Sequence, residues 1–127
     1  MRSRLRPGKH EQTRSIQEQK EICDMYGATF SPPLPDQLIA ISKRVLDGFP
    51  LAAGVRYKDA SKDKSGWIVY ASDSEEDTSE FVGIHTGHLA RTHPAVARHL
   101  ALPVGWRFAL ESGSERAWFD DEVKAEA

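Results

Sequence analysis

Four histidines near the C-terminal end, His85, His88, His93 and His99, are the first candidates for chemistry in this chain. His85 and His88 are three residues apart, so on a helix they would share one face, as zinc ligands often do. Residues 85–110 contain no cysteine, aspartate or glutamate to complete a coordination sphere, so a metal would need ligands from elsewhere in the fold. We therefore predict that these histidines cap helices, pack or face solvent, and that the protein uses no metal and no other cofactor.

Catalytic signatures built on serine, cysteine or glycine are missing from the sequence. No serine lies in a Gly-x-Ser-x-Gly turn, and neither Gly83 nor Gly87 is followed by the Lys-Ser or Lys-Thr pair of a phosphate-binding loop. Cys23 falls on a thin apolar stripe, which favours a small buried hydrophobe over an activated nucleophile. These residues predict a protein that is not an enzyme. The alternative is a small metal-dependent enzyme that uses His85 and His88.

An acidic stretch from Asp73 to Glu80 is the most distinctive polar feature. It holds five carboxylates and no basic residue, and like charges crowded in this way need water or a cationic partner around them. We therefore predict an exposed loop, which either keeps the protein soluble or docks a basic protein. The ligand spacing of an EF-hand is absent. The carboxylates expected to contact a partner are Asp73, Glu75, Glu76, Asp77 and Glu80.

Length and composition are those of an ordinary globular chain. The protein has 127 residues, 28% of them charged, and a net charge of −2 at pH 7, so nucleic acid is not an expected partner. We expect a mobile basic tail over residues 1–9 and one domain over residues 10–127. The single cysteine, together with the lack of a secretory signal and of a membrane-length apolar run, predicts a cytoplasmic protein without membrane partners.

Two helices are predicted in the N-terminal half. Residues 10–26 are rich in the helix formers Glu, Gln, Lys and Arg, and Gly27 is a plausible end for this helix. Its narrow apolar stripe would consist of Ile16, Cys23 and Tyr26, with Ile22 beside it. The second helix would hold Pro35 in its first turn, end at Gly48 and pack on a sheet, since its apolar positions repeat at helical spacing. Those positions are Leu34, Leu38, Ile41 and Val45.

The remainder of the chain predicts mainly strands. Candidate strands lie at 53–57, 66–70 and 81–84, and short helical turns follow at 85–92 and 94–100. The order of elements predicts an α+β fold. We expect a mostly antiparallel sheet of about four strands that ends in a C-terminal hairpin, with the two N-terminal helices packed against it.

The predicted hairpin spans Leu102 to Phe119 and would form the core. Apolar and polar residues alternate before a Ser-Gly-Ser turn, and a return strand runs from Arg116 to Phe119. Trp118 and Phe119 are adjacent, so on a strand they point to opposite faces. An exposed Trp118 beside Arg116 would anchor a partner well.

A family resemblance is carried by residues 65–119. Ser65-Gly66-Trp67 opens a strand, and the acidic loop and Val82-Gly83-Ile84 come next. After a short helical segment, the chain continues with Leu102-Pro103-Val104-Gly105-Trp106-Arg107-Phe108. In these residues it is similar to the bacterial immunity protein 33 family of polymorphic toxin systems, while the N-terminal half falls outside the resemblance.

The resemblance implies a non-enzymatic protector that binds a cognate toxin, with Trp67, Trp106 and Phe108 as core positions. The leading hypothesis is an immunity protein, monomeric or weakly dimeric, whose acidic loop, Arg116 and Trp118 contact a toxin with a basic surface. A self-associating accessory domain that pairs through the exposed edge of its sheet is a further alternative.

Overall fold

The fold is a six-stranded sheet, and four of the helices contribute side chains to the core cluster on one of its faces. The computed structural model describes residues 7–59, 61–72 and 80–126. The helices are α1 (Pro7–Tyr26), α2 (Lys43–Leu46), α3 (Thr86–Thr92), α4 (Pro94–Ala97) and α5 (Asp121–Glu126). The strands are β1 (Leu38–Ser42), β2 (Ala52–Arg56), β3 (Lys64–Ala71), β4 (Phe81–His85), β5 (Trp106–Glu111) and β6 (Ser114–Phe119).

The sheet confirms the α+β class but corrects the details of its architecture. Its strand order is β4-β1-β3-β2-β5-β6, so it has six strands where about four were expected. Pairing is antiparallel everywhere except between β1 and β3, which run parallel, and the sheet is therefore mixed. The strand from residue 66 to 70, extended to Lys64–Ala71, lies inside the sheet as its composition indicated.

The predicted second helix is wrong over most of its length. Its first half is strand β1, which pairs with both β3 and β4, and only the four residues of α2 are helical. The run Leu38-Ile39-Ala40-Ile41 satisfies helical spacing, but a short buried apolar run also suits a strand. Ser42 ends the strand and caps α2, because its hydroxyl accepts a hydrogen bond from the Arg44 amide.

Helix α1 is the one long N-terminal helix. It begins at Pro7, inside the predicted tail, and the rest of that tail (residues 1–6) lies outside the described residues. It ends at Gly27, whose φ of 68° and the bond from the Ala28 amide to the Cys23 carbonyl form a helix C-cap. Ile22 and Cys23 are buried as predicted, whereas Ile16 is 47% exposed and does not belong to the buried stripe.

The core lies between the sheet and helices α1, α3 and α4. Trp67 of β3 and Phe108 of β5 are its largest side chains, with ring centroids 5.4 Å apart. The C-terminal hairpin therefore contributes Phe108 to the core, as predicted. Its second strand nevertheless forms one edge of the sheet, and Phe119 is 40% exposed.

Arg56 joins three parts of the chain from inside the protein. Its side chain is buried, and its Nη1 donates to the carbonyls of Ser31 (2.6 Å) and Leu102 (2.9 Å), while Nε donates to the carbonyl of Ser65 (3.0 Å). Burial lowers the pKa of Arg56 to about 10, which leaves it charged near neutral pH. These charge-assisted bonds compensate for the desolvation of the guanidinium and fix the loops on the helix side of the sheet.

Candidate interaction surface

One row of side chains crosses the face of the sheet that the core helices do not cover. Strand register aligns Gly83, Ala40, Ile68, Val55, Arg107 and Trp118, one from each strand. Residues paired directly across neighbouring strands point to the same side of a sheet. We call the side that carries this row the open face.

Burial distinguishes the open face from the core face. The main buried cluster takes side chains from α1, α3 and α4 and from alternate strand positions such as Ile41, Trp67 and Phe108, and it includes no member of the row. Four buried apolar residues lie outside that cluster: Ala53, Val55, Ala109 and Val123. The first three lie on the open face, so the middle of that face includes alanine and valine side chains.

Arg116 and Trp118, both predicted to bind a partner, are brought together on the open face. The Arg116 guanidinium carbon lies 4.6 Å from the centre of the Trp118 indole, in a cation–π contact. Arg116 Nε also lies 3.4 Å from Glu111 Oε1, and these two side chains are 61% and 51% exposed. Trp118 itself is half-buried. The pair therefore offers an amphipathic anchor held in one orientation.

Arg107 is held more firmly than Arg116. Its Nε donates to Asp120 Oδ2 at 2.7 Å, and this bond lowers the pKa of Asp120. Burial alone would lower the pKa of Arg107, but the hydrogen bond to Asp120 and the nearby Tyr70 and Tyr57 outweigh it, so that pKa is raised. Two tyrosines, two arginines and a tryptophan therefore meet on the open face.

A shallow groove of about 290 Å³ lies on the open face towards the β4 edge. Gly66, Gly83 and Ala40 give it a floor without bulky side chains. Its other lining residues are Leu38, Tyr57, Asp59, Lys64, Trp67 and Ile68. Gly66 has a φ of 90°, and a Cβ there would overlap the Tyr57 carbonyl oxygen, so this floor requires glycine.

The predicted acidic loop can be placed only by its ends. Asp73, Glu75, Glu76 and Asp77 lie outside the described residues, which resume at Glu80. The Glu80 carbonyl accepts a hydrogen bond from the Lys43 amide at 2.8 Å, next to β4 at one edge of the sheet. Arg116 and Trp118 occupy the opposite edge, five strand spacings or roughly 24 Å away. Glu80 is therefore not part of their cluster.

The predicted metal candidates do not gather into a site. His85 is exposed at the end of β4, and His88 is exposed on α3. His93 instead contacts its neighbour Thr92 and the Leu46 carbonyl. Within the part of the chain that the structure describes, no group of three or more His, Cys, Asp or Glu side chains could hold a metal ion.

His99 lies in the core, away from the other histidines. Its ring is fully buried and stacks on Phe108 with centroids 4.9 Å apart. Nδ1 lies 2.9 Å from the Ala95 carbonyl, so Nδ1 carries the proton and donates it. Nε2 is 3.1 Å from Glu115 Oε1 but without hydrogen-bonding geometry. Burial is the main cause that lowers the pKa of His99, to about 4, and the positive charge of Arg98 adds to it.

Cys23 behaves as the buried hydrophobe that its position predicted. The side chain is 2% exposed, and its Sγ lies 3.6 Å from the Ala101 carbonyl. Burial raises the pKa of the thiol, and the negative charge of Asp24 raises it further. A thiol in this state is the reverse of an activated nucleophile.

Tyr57, Tyr70 and Arg107 are the surface residues that sequence reasoning did not select. Period-two alternation could have found Arg107, because it alternates with core-facing Trp106 and Phe108. Tyr70 lies in a nearly continuous apolar run and Tyr57 precedes a charged connection, so neither residue could be recognised as a surface position from its neighbours. Only the strand order brings them beside Arg107.

The open face is thus a surface of a mixed sheet that carries aromatic and arginine side chains. The family model of the Imm33-like domain matches residues 18–120. The chain therefore belongs to the Imm33-like family, which indicates an immunity protein and confirms the resemblance noted in the sequence. The match also includes most of the N-terminal half, which the resemblance had left outside. Comparisons with curated proteins and with solved structures gave no match.

Among the described helices, none combines the length and the apolar character needed to cross a bilayer.

Proposed function

We propose that this protein is an immunity protein that binds and neutralises a toxin through the open face of its sheet. The observation that carries the proposal is the row of side chains across that face in a member of the Imm33-like family. Toxin contact would occur through surface complementarity, and the protein would transform no substrate itself.

The residue types on the open face are those that dominate binding energy in protein interfaces. Tryptophan, tyrosine and arginine are enriched among interface hot spots, and the two aromatic side chains bury large areas with few rotatable bonds. Trp118 is half-buried and fixed by Arg116, so little side-chain entropy would be lost when a partner covers it. It would thus be the main anchor of the complex.

The size of the open face indicates that loops beside it also take part. Six strands span roughly 24 Å across the sheet. With strands of five to eight residues, the area of the open face is smaller than the roughly 800 Å² per partner of a typical interface. In the sequence, residues 73–79 come shortly after β3, the strand that carries Ile68 and Tyr70. We therefore include its carboxylates, with Glu80, in the proposed interface, and infer that the toxin surface is basic.

Co-expression provides the test of function. The toxin domain encoded beside this gene would be produced with or without the protein, and cell survival and the association and dissociation rates would be measured. Rescue of growth together with direct binding is the expected result. A neighbouring toxin that neither binds the protein nor is neutralised by it would refute the proposal.

Two variants then locate the interface. Trp118→Ala should speed dissociation, with a loss of about 2 kcal/mol in binding free energy for a hot-spot residue. Replacing Asp73, Glu75, Glu76 and Asp77 by their amides should slow association about tenfold at low salt and weaken its salt dependence.

A matched control lies on the other side of the molecule. Met25 is 70% exposed on α1, which packs against the core face, so Met25→Ala should leave both rate constants unchanged. Binding that is lost in Met25→Ala and retained in Trp118→Ala would place the toxin on the helix side and rule out the open face.

A further inference from the structure

The outer edge of β6 has a defined pattern of backbone groups. Among the described residues no strand flanks β6 beyond its pairing with β5. Glu111 and Ser114 close a two-residue turn, so they form a hydrogen-bonded pair, and pairs alternate from there along the hairpin. Arg116 and Trp118 therefore bond to β5, whereas the N–H and C=O of Ala117 point outward.

A contact from α1 agrees with this alternation. The hydroxyl of Tyr26 donates to the carbonyl of Glu115 at 3.5 Å. Glu115, like Ala117, belongs to the pairs that do not bond to β5, so its carbonyl is expected to face outward where a hydroxyl can reach it.

We propose that β6 pairs antiparallel with β6 of a second copy of this chain, around a two-fold axis at Ala117. In that register the two Ala117 residues exchange their outward N–H and C=O groups. Arg116 then lies opposite Trp118 of the other copy, and Trp118 opposite its Arg116, both on the open face. Within one chain the Arg116 guanidinium lies 4.6 Å from the centre of the Trp118 indole. The same type of contact would then form between the two copies across the β6–β6 seam.

Neighbouring registers are less favourable. Centring the axis on Arg116 would set two guanidinium groups directly opposite each other, which is destabilising. Centring it on Trp118 would set the two indoles opposite each other and forgo both guanidinium–indole contacts across the seam. The small side chain of Ala117, half-buried against the core, leaves room for the two backbones.

The product is a sheet that continues from one copy into the other, with the two open faces side by side. This pairing goes beyond the proposed toxin binding and does not depend on it. The seam is short, so the dimer should be weak, with a dissociation constant above roughly 10 µM.

Cysteine cross-linking tests the register on the full-length protein. The Cα atoms of a hydrogen-bonded antiparallel pair lie about 5.5 Å apart, which a disulfide can bridge. Ala117→Cys should therefore give a covalent dimer under mild oxidation, while the native Cys23, 2% exposed, stays unreacted. Ser114→Cys is the control, since in this register the two residues 114 would be roughly 20 Å apart. Equal cross-linking of both variants, or of neither, would overturn the proposal.

Sedimentation across a concentration series tests the side chains. Arg116→Glu should weaken the dimer roughly tenfold or more, because two cation–π pairs are lost. The double exchange of Arg116→Trp with Trp118→Arg should restore it, since each tryptophan again faces an arginine. Unchanged thermal melting would show that Arg116→Glu is folded. A dimer equally stable in wild type and Arg116→Glu would refute the proposed seam.

Discussion

Acid sensitivity of His99 is the sharpest consequence of the core geometry. The perturbation is His99→Leu, which keeps an apolar side chain against Phe108 and removes the fully buried imidazole. In the folded protein His99 is neutral, with its proton on Nδ1 facing the Ala95 carbonyl. Protonating Nε2 would place a charge where water does not reach.

The size of the effect follows from the pKa. Burial lowers the pKa of His99 from 6.5 to about 4 in the folded state. The unfolded chain therefore binds a proton near pH 6.5 and the folded chain only near pH 4, so stability falls as pH drops through this window. With 1.36 kcal/mol for each unit of pKa, the loss attributable to His99 is about 3 kcal/mol once pH is below 4.

Chemical denaturation of both proteins from pH 7.0 to 4.5 measures this loss. Carboxylates titrate in both proteins, so the difference in unfolding free energy between wild type and His99→Leu isolates the histidine. We expect this difference to shift against wild type by 2 to 3 kcal/mol, on the order given by the linkage relation, between pH 7.0 and 4.5.

The opposite trend would refute the reasoning. If wild type gained stability relative to His99→Leu as pH fell, His99 would be charged in the folded state and paired with Glu115, whose Oε1 lies 3.1 Å from Nε2. Glu115→Gln would then abolish the gain. A difference that does not vary with pH would show that the ring is accessible to solvent.

Two further predictions concern Gly66 and Arg56, and the free energy of unfolding measured with denaturant tests both. Gly66→Ala should cost at least about 2 kcal/mol, because its Cβ would overlap the Tyr57 carbonyl oxygen at a φ of 90°. Gly113→Ala, with φ +77° and open space around it, should cost only about 1 kcal/mol, and equal losses would contradict the clash. Arg56→Met should cost about 3 kcal/mol or more by leaving buried carbonyls unpaired, whereas Arg91→Met on the exposed side of α3 should stay within about 0.5 kcal/mol.

Strong local patterns made most of the strands predictable. The hairpin of β5 and β6 was identified from alternation and a Ser-Gly turn, both of which act over a few residues. Strand β1 was missed because its five residues fit helical spacing equally well. Its identity as a strand depends on parallel pairing with β3, whose residues lie more than twenty positions later in the chain. No local pattern contains that information.

The candidate surface likewise has features that local sequence patterns predict and others that depend on strand order. The sequence predicted Trp118 beside Arg116, and the structure puts the two side chains in contact. Glu80 was predicted from its charge to contact the same partner, and it adjoins the edge of the sheet opposite Arg116 and Trp118. Distance across a sheet is set by strand order, which sequence spacing does not reveal. The burial of Arg56 was equally hidden, since an arginine after Gly54-Val55 resembles an ordinary strand end.

The insertion of β1 between β3 and β4 has a consequence for how the molecule assembles. Among the described strands β4 pairs only with β1, so β4 has a neighbour to join only after β1 is in place. At the opposite edge, β6 needs only the hairpin turn to find β5. The two margins of the sheet should therefore form at different stages. Amides of β4 in pulsed hydrogen-exchange refolding should acquire protection later than those of β5 and β6.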